Sequence, residues 1–131
     1  MWQYWCNLLV AANVGIMVFF TVVVAPTVFT ALPPEWSAAY VRKFFPKYFF
    51  FLGVTTAMAT TGVNGLGEQL ALMVCAVVFF FSCFWLTPRV NLARDNKQSA
   101  HFKTLHWLSV GLNMAQLLTF IWLLLPGGMF V

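Results

Sequence analysis

The sequence predicts an all-α integral membrane protein: a four-helix bundle of two tandem helical hairpins, with a short interfacial helix between the first two spans. Of its 131 residues, 62% are hydrophobic and only 8% are charged. A water-soluble domain of this size would need a larger polar shell, so the bilayer is the expected solvent. The hydrophobic segments follow one another without a long polar spacer, which indicates a single domain over residues 1–131.

Three apolar runs approach or reach the roughly 20 residues that a spanning helix needs. They are Tyr4–Val24, Leu70–Leu86 with its flanks, and Leu105–Leu125. The second span is less clear, because its apolar part, Tyr48–Thr61, is short. We predict that this span begins near Phe44 and carries Pro46 in its first turn, where proline is tolerated. The N-terminal segment MWQYWCNLLV lacks the basic region of a secretory signal, so the first span is expected to be retained.

The connecting segments contain residues that typically end, begin or cap helices. Pro33 and Pro34 are expected to end the first helix, and Pro34 suits the first turn of an interfacial helix anchored by aromatic and basic side chains. The glycine-rich stretch GVNGLGE, residues 62–68, predicts a tight turn between the second and third spans. Ser99 is a candidate N-cap for the fourth span, and Asp95 is an alternative.

All seven Lys and Arg residues fall in two loops, between spans one and two and between spans three and four. The positive-inside rule therefore predicts that both basic loops are cytoplasmic and that both termini lie outside. The net charge of +4 is then explained by contact with anionic headgroups of the lipid bilayer. Nucleic-acid binding would need an extended basic face, which we exclude for a chain with so little charge.

The three cysteines all occur in apolar segments, without a CxxC pair or any other ligand-like spacing. We therefore interpret Cys6, Cys75 and Cys83 as small buried hydrophobic residues.

A faint internal repeat supports the two hairpins. A shift of 62 residues places Pro26 on Pro88 and Phe19 on Phe81, and Ser37-Ala38 on Ser99-Ala100. We predict that Pro26 and Pro88 occupy equivalent places in two similar hairpins that point the same way.

Polar residues form a stripe along the fourth span. At 100° per residue, His106, Ser109, Asn113 and Gln116 fall within an arc of roughly 80°. This face is expected to avoid lipid. Two interpretations remain open: the stripe hydrogen-bonds to neighbouring helices and fixes their packing, or it lines a polar pocket that opens at the cytoplasmic end.

The end of the third span supplies partners for this stripe. Cys75, Ser82 and Arg89 recur every seven residues on nearly one helical face, and Arg89 could meet His106 at the same depth or pair with Asp95. The complete candidate cluster for ligand binding is Arg89, Asn91, Arg94, Asp95, His106, Ser109, Asn113 and Gln116. No His, Cys or carboxylate set has metal-ligand spacing, and no nucleophile and base stand together, so we assign no metal site and no catalytic residue.

The run LTPRVNLARDNKQSAHFKTLHWLSVGLNMAQLL resembles the second half of the transmembrane-protein-205-like family. The shared pattern is Thr-Pro-Arg, then Arg-Asp, then Leu-His-x-x-Ser-x-x-x-Asn, found here at Thr87, Pro88, Arg89, Arg94, Asp95, Leu105, His106, Ser109 and Asn113. The stretches VVVAPTVFTALP (22–33) and FFPKYF (44–49) also fit.

This resemblance implies a small four-helix membrane protein without a defined activity. In a bacterium, such a protein is expected in the inner membrane. Eukaryotic relatives are associated with resistance to platinum drugs and with vesicle traffic, which suggests the handling of metal compounds. A remoter similarity of architecture, to copper-resistance proteins and a haem-biosynthesis oxidase, raises haem or copper as cofactors. However, His106 is the only histidine near a span, and it lacks an evident second ligand.

Two hypotheses of different class follow. In the first, the protein is not an enzyme and binds or handles a small ligand or metal species through a cytoplasm-facing polar pocket. In the second, it is an accessory subunit or assembly factor of a larger membrane complex, with aromatic faces that meet other membrane proteins or a second copy of itself.

Overall fold

The computed structural model of the chain describes residues 2–63 and 65–124, and all regular structure within these ranges is helical. Four long helices follow one another: α1 (Trp2–Ala31), α2 (Pro34–Ala59), α3 (Leu66–Asp95) and α4 (Ser99–Leu124). The helices α1, α3 and α4 are long and apolar enough to cross a membrane. By the same measure α2 is not a candidate, because every stretch of 18 residues within it contains Arg42, Lys43 and Lys47.

Consecutive helices pack antiparallel to one another. The indole Nε1 of Trp2 donates to Thr61 Oγ1 at 2.6 Å, while Phe20 near the other end of α1 packs on Tyr48 with ring centroids 5.1 Å apart. Helix α2 then runs back along α3, where Phe50 packs on Phe80 at 5.8 Å. Helix α4 returns along α3, and Gln116 Nε2 donates to the carbonyl oxygen of Cys75 at 2.9 Å.

One apolar core joins the four helices. It contains the buried side chains of Val10 and Met17 from α1, Leu52 from α2, Phe79 from α3 and Phe120 from α4. The cysteines behave as predicted, since Cys6, Cys75 and Cys83 are all buried and free. A polar group also lies within this core: Asn13 Nδ2 donates to Thr56 Oγ1 at 3.1 Å, and Thr55 Oγ1 donates to Asn13 Oδ1 at 2.9 Å.

Helices α1 and α3 each contain a π-helical segment that ends two residues before a proline, Pro26 in α1 and Pro88 in α3. In α1 the segment Phe20–Val24 separates Trp2–Phe19 from Ala25–Ala31, and in α3 Ser82–Leu86 separates Leu66–Phe81 from Thr87–Asp95. The ring of a proline clashes with the carbonyl group four residues earlier. A wider turn relieves this clash, with Ala25 N–H donating to Phe20 O and Thr87 N–H donating to Ser82 O. The two segments are also 62 residues apart, the offset of the predicted internal repeat.

The interfacial helix predicted between the first two spans is continuous with the helix of the second span. Pro34 does begin a helix, with Glu35 in its first turn, but that helix continues without interruption to Ala59. Pro46 therefore lies in the middle of α2 rather than in the first turn of a span that begins near Phe44. A helix in an apolar environment tolerates an internal proline when its neighbours are packed closely around it.

Other predicted boundaries also moved. The helix of the first span continues past Val24 to Ala31, and that of the third span past Leu86 to Asp95. The predicted turn at 62–68 is shorter, because Gly62 ends the 3₁₀ turn Thr60–Gly62 and α3 begins at Leu66. Asn64 of this stretch lies outside the described residues, as do Leu125 and the tail that follows it.

The cap predicted for α4 was misplaced by one residue. The N–H of Phe102 donates to the carbonyl oxygen of Gln98 at 2.8 Å. Gln98 therefore occupies the N-cap position and Ser99 is the first helical residue. Asp95, the alternative cap, is the last residue of α3.

Candidate functional site

A cavity of about 240 Å³ lies between the four helices, towards the ends that carry the basic residues. Every helix contributes to its wall. Its polar lining consists of Thr21, Tyr48, Thr87, Asn91, Arg94, His106, Ser109 and Asn113. Its apolar lining consists of Phe20, Ala25, Phe29, Val41, Phe45, Phe49, Val90, Val110 and Met114.

Five members of the predicted cluster come together in this wall. Asn91 and Arg94 stand one turn apart on α3, and His106, Ser109 and Asn113 follow one another along one face of α4. Ser109 and Asn113 are half-buried, whereas His106 is exposed at the margin of the cavity. The spacing along α4 spreads these polar groups over about 10 Å of depth.

Three predicted members lie elsewhere. Arg89 is exposed on the outside of α3, where its guanidinium carbon stands 4.9 Å from the centroid of the Trp85 ring. Asp95 forms an ion pair with Arg42 of α2, not with Arg89. Gln116 is buried deeper in the core, where its amide nitrogen bonds to the Cys75 carbonyl group.

The π-helical segment of α3 explains why Arg89 left the predicted face. Cys75 and Ser82 are both buried, as their spacing of seven indicated. Between Ser82 and Arg89, however, the wider turn Ser82–Leu86 adds one residue to the helix. An added residue rotates everything after it by roughly 100°. Arg94 rather than Arg89 therefore lines the cavity.

Phe102 positions both basic groups of the site. The guanidinium carbon of Arg94 stands 4.9 Å from the centroid of the Phe102 ring, and the imidazole of His106 stacks on the same ring at 5.8 Å. Because Phe102 and His106 are four residues apart on α4, they share a helical face. One aromatic side chain thus connects the end of α3 to the beginning of α4.

The guanidinium group of Arg94 is incompletely satisfied. Its Nη1 is buried and has no hydrogen-bond partner among the residues that the structure describes. A buried donor on a charged group loses considerable free energy if it stays unpaired. Nor does any carboxylate of the described chain line the cavity, since Asp95 is held by Arg42. The cavity is therefore electropositive and rich in hydrogen-bond donors at this end.

Tyr48 is a site residue that the prediction missed. Its hydroxyl group donates to Asn113 Oδ1 at 3.4 Å, a long hydrogen bond that joins α2 to α4 at the bottom of the cavity. Around it, Phe20 packs on Phe45 and on Tyr48 with ring centroids 5.4 and 5.1 Å apart. The signal in the sequence was a tyrosine among the phenylalanines of FFPKYFFF, residues 44–51.

Comparison with known protein families assigns the chain to one of them. Residues 8–99 match the family described as Domain of unknown function (DUF4149). The protein belongs to this family. The match includes Asn91 and Arg94 of this DUF4149 protein but ends at Ser99, the first residue of α4, so the polar stripe at 106–116 lies beyond it. No curated protein matches the chain. No solved structure does so either.

The DUF4149 match together with the three apolar helices supports a membrane protein of an uncharacterised family. The DUF4149 match does not by itself identify the chain as a member of the transmembrane-protein-205-like family. That resemblance rests on the motif of residues 87–113, part of which lies outside the matched region, and it stays a prediction.

Proposed function

We propose that all four helices of this DUF4149 protein cross the bilayer as a single four-helix bundle, with both termini outside. The antiparallel contacts support this topology, because α2 lies beside both α1 and α3 over its length. The Arg42–Asp95 ion pair brings the basic residues of α2 and those at the end of α3 to one end of the molecule. The charged part of α2 then lies at the headgroup level, where long basic side chains extend into water. A bacterial inner membrane is the proposed location.

Cysteine labelling tests this topology. In intact cells, a membrane-impermeant maleimide is expected to label Trp2→Cys and to leave Gln98→Cys unlabelled until the membrane is opened. The wild-type chain is the matched control, because Cys6, Cys75 and Cys83 are buried. If α2 did not cross the membrane, α3 would carry position 98 to the outside, and labelling of Gln98→Cys in intact cells would contradict the proposal.

We further propose that the protein is not an enzyme and that it binds a small anionic ligand in the cavity. The single observation that carries this proposal is the buried Nη1 of Arg94, which lacks a partner in the described chain while it lines an electropositive cavity. A phosphate or carboxylate group would accept a charge-assisted hydrogen bond from this nitrogen. Asn91, Ser109 and His106 add further polar groups around the same space.

The site supports the binding of a metal species less well than the binding of an anion. Within residues 2–63 and 65–124, no group of three or more His, Cys, Asp or Glu side chains lies close enough together to hold a metal ion. The proposal therefore names an anion rather than a metal, haem or copper species. The alternative role, as an accessory subunit of a larger membrane complex, stays a prediction.

A thermal-shift experiment on Arg94 tests ligand binding. The purified protein is heated in neutral detergent with phosphates and carboxylates, each offered with and without an alkyl chain. A ligand at 100 times its dissociation constant stabilises the folded protein by about 2.7 kcal/mol. At least one compound should therefore raise the melting temperature of the wild type by several degrees and leave that of Arg94→Gln unchanged.

Arg89→Gln provides the matched control, since it removes the same charge from an arginine outside the cavity. It should keep the ligand-dependent rise. The proposal fails if no anion shifts the wild-type melting temperature, or if the two variants respond alike.

A further inference from the structure

Three of the four gaps between neighbouring helices are closed around the cavity. Between α1 and α2, Phe20 stacks on Phe44 with ring centroids 4.8 Å apart. Between α2 and α3, the Arg42–Asp95 ion pair closes the basic end. Between α3 and α4, the guanidinium group of Arg94 lies over Phe102. No ligand could pass through these gaps without breaking such contacts.

The fourth gap, between α1 and α4, is open. The Cα atoms of residues 20–31 all lie more than 8 Å from every Cα atom of Ser99–Leu124, so the two backbones do not approach each other closely here. Closer to the opposite end, residues of Trp2–Phe19 do contact α4. The helices therefore diverge towards the basic end and leave a cleft on the side of the bundle.

The residues that line the cavity are more exposed beside this cleft than on the opposite wall. Val41 and Phe49, on the far wall of α2, are 4% and 3% exposed. Phe29 on α1 and Met114 on α4, which line the cavity beside the cleft, are 55% and 37% exposed. In a membrane-spanning bundle this opening faces the hydrocarbon of the bilayer, not the aqueous phase.

The chemistry of the cavity changes along its depth. Arg94, near the end of α3, stands at the level of the basic residues and thus of the lipid headgroups. Further in, Phe20, Phe45 and Phe49 supply an aromatic wall. The volume of about 240 Å³ corresponds to roughly eight water-sized groups. That space suits an anionic head with a short stretch of one chain, while the rest of the chain extends through the cleft.

We infer that the ligand is an anionic amphiphile of the membrane, with a phosphate or carboxylate head on an acyl chain, and that it enters sideways between α1 and α4. The head binds at Arg94, Asn91 and His106, and the chain lies against Phe20 and leaves the bundle past Ala25 and Met114. This inference rests on the proposed function, because it specifies the ligand class of the same cavity. It adds that the chain is recognised and that access is lateral.

Three radiolabelled probes separate the contributions of head and chain: glycerol 3-phosphate, 1-oleoyl-glycerol 3-phosphate and mono-oleoylglycerol. Equilibrium binding is measured on the full chain in neutral detergent. The oleoyl phosphate should bind at least tenfold more tightly than either of the other probes, and Arg94→Gln should remove this preference over mono-oleoylglycerol. Equal binding of glycerol 3-phosphate and its oleoyl ester would overturn the inference but leave anion binding intact. Binding of none of the probes would count against both.

A variant that fills the cleft tests lateral entry. Ala25 is half-buried at the wall of the cavity on α1, and Ala25→Phe should weaken binding of the oleoyl phosphate at least tenfold while glycerol 3-phosphate binding stays within twofold. Ala12→Phe makes the same change on an exposed part of α1 outside the cavity and should alter neither.

Met114→Trp narrows the same cleft from α4 and guards against misfolding of the first variant. If both cleft variants elute as folded protein and bind the oleoyl phosphate like the wild type, lateral entry is wrong.

Discussion

Gly62→Ala is expected to destabilise the protein by about 1–3 kcal/mol, the usual cost of forcing an extra methyl group into a packed site. Gly62 is buried at the end of the 3₁₀ turn that follows α2. A Cβ atom at this position would stand 2.8 Å from the Cβ of Cys6 and 3.4 Å from the Cα of Gln3. Because Cys6 is fully buried and sits on the rigid backbone of α1, it has little room to move away. Unfolding of the purified protein in mixed micelles, followed by circular dichroism, measures the loss.

Two further variants show whether the close approach to Cys6 is the cause. Gly67→Ala is the matched control, since a Cβ there would meet nothing within 4 Å, and it should cost little or stabilise α3 slightly. Cys6→Gly in the Gly62→Ala background removes the atoms that clash and should recover part of the lost stability relative to the sum of the single changes. Equal effects of Gly62→Ala and Gly67→Ala would contradict this explanation.

Phe79→Ala is expected to cost about 3–5 kcal/mol, the range observed when a buried aromatic side chain is removed from a well-packed core. Phe79 is completely buried on α3. Its ring lies between Phe49 of α2 and Phe120 of α4, with centroid distances of 6.5 and 6.0 Å. Its removal therefore leaves a cavity where three helices meet. The same unfolding assay measures the effect.

Phe84→Ala is the matched control, because it removes a phenylalanine ring from the same helix at an exposed position. Phe84 is on the same helix but is 67% exposed, and it contacts Phe80 and Phe50 only at the edge of the core. In a bilayer its ring mostly faces lipid, and lipid fills the space that alanine leaves. The change should cost less than about 1 kcal/mol. If Phe84→Ala were as destabilising as Phe79→Ala, the core would not be centred where the three rings meet.

The amino-acid composition, together with the prolines and glycines that interrupt the apolar runs, determined the helical class and the number of helices. Long apolar runs can satisfy their backbone groups in lipid only by forming helices or a closed barrel. The pair Pro33-Pro34 and the glycines around 62–67 divide those runs at places close to the observed helix ends. The face of α4 that carries Ser109 and Asn113 was also predictable, because the α-helix has a fixed period and no π-helical segment interrupts this helix.

The tertiary structure decided which of the predicted partners face that stripe. A period of 3.6 residues cannot foresee the wider turn at Ser82–Leu86, after which Arg89 points outwards and Arg94, of the two predicted arginines, lines the cavity. Nor does local sequence reveal that Asp95 pairs with Arg42, since 53 residues separate them and only the packing of α2 on α3 brings them together. Tyr48 was missed for the same reason: its hydroxyl group acquires a role only where α4 presents Asn113. The open side between α1 and α4 arises from the divergence of two helices far apart in the chain. Periodicity describes each helix by itself, whereas cavities and ion pairs depend on how rigid helices approach one another.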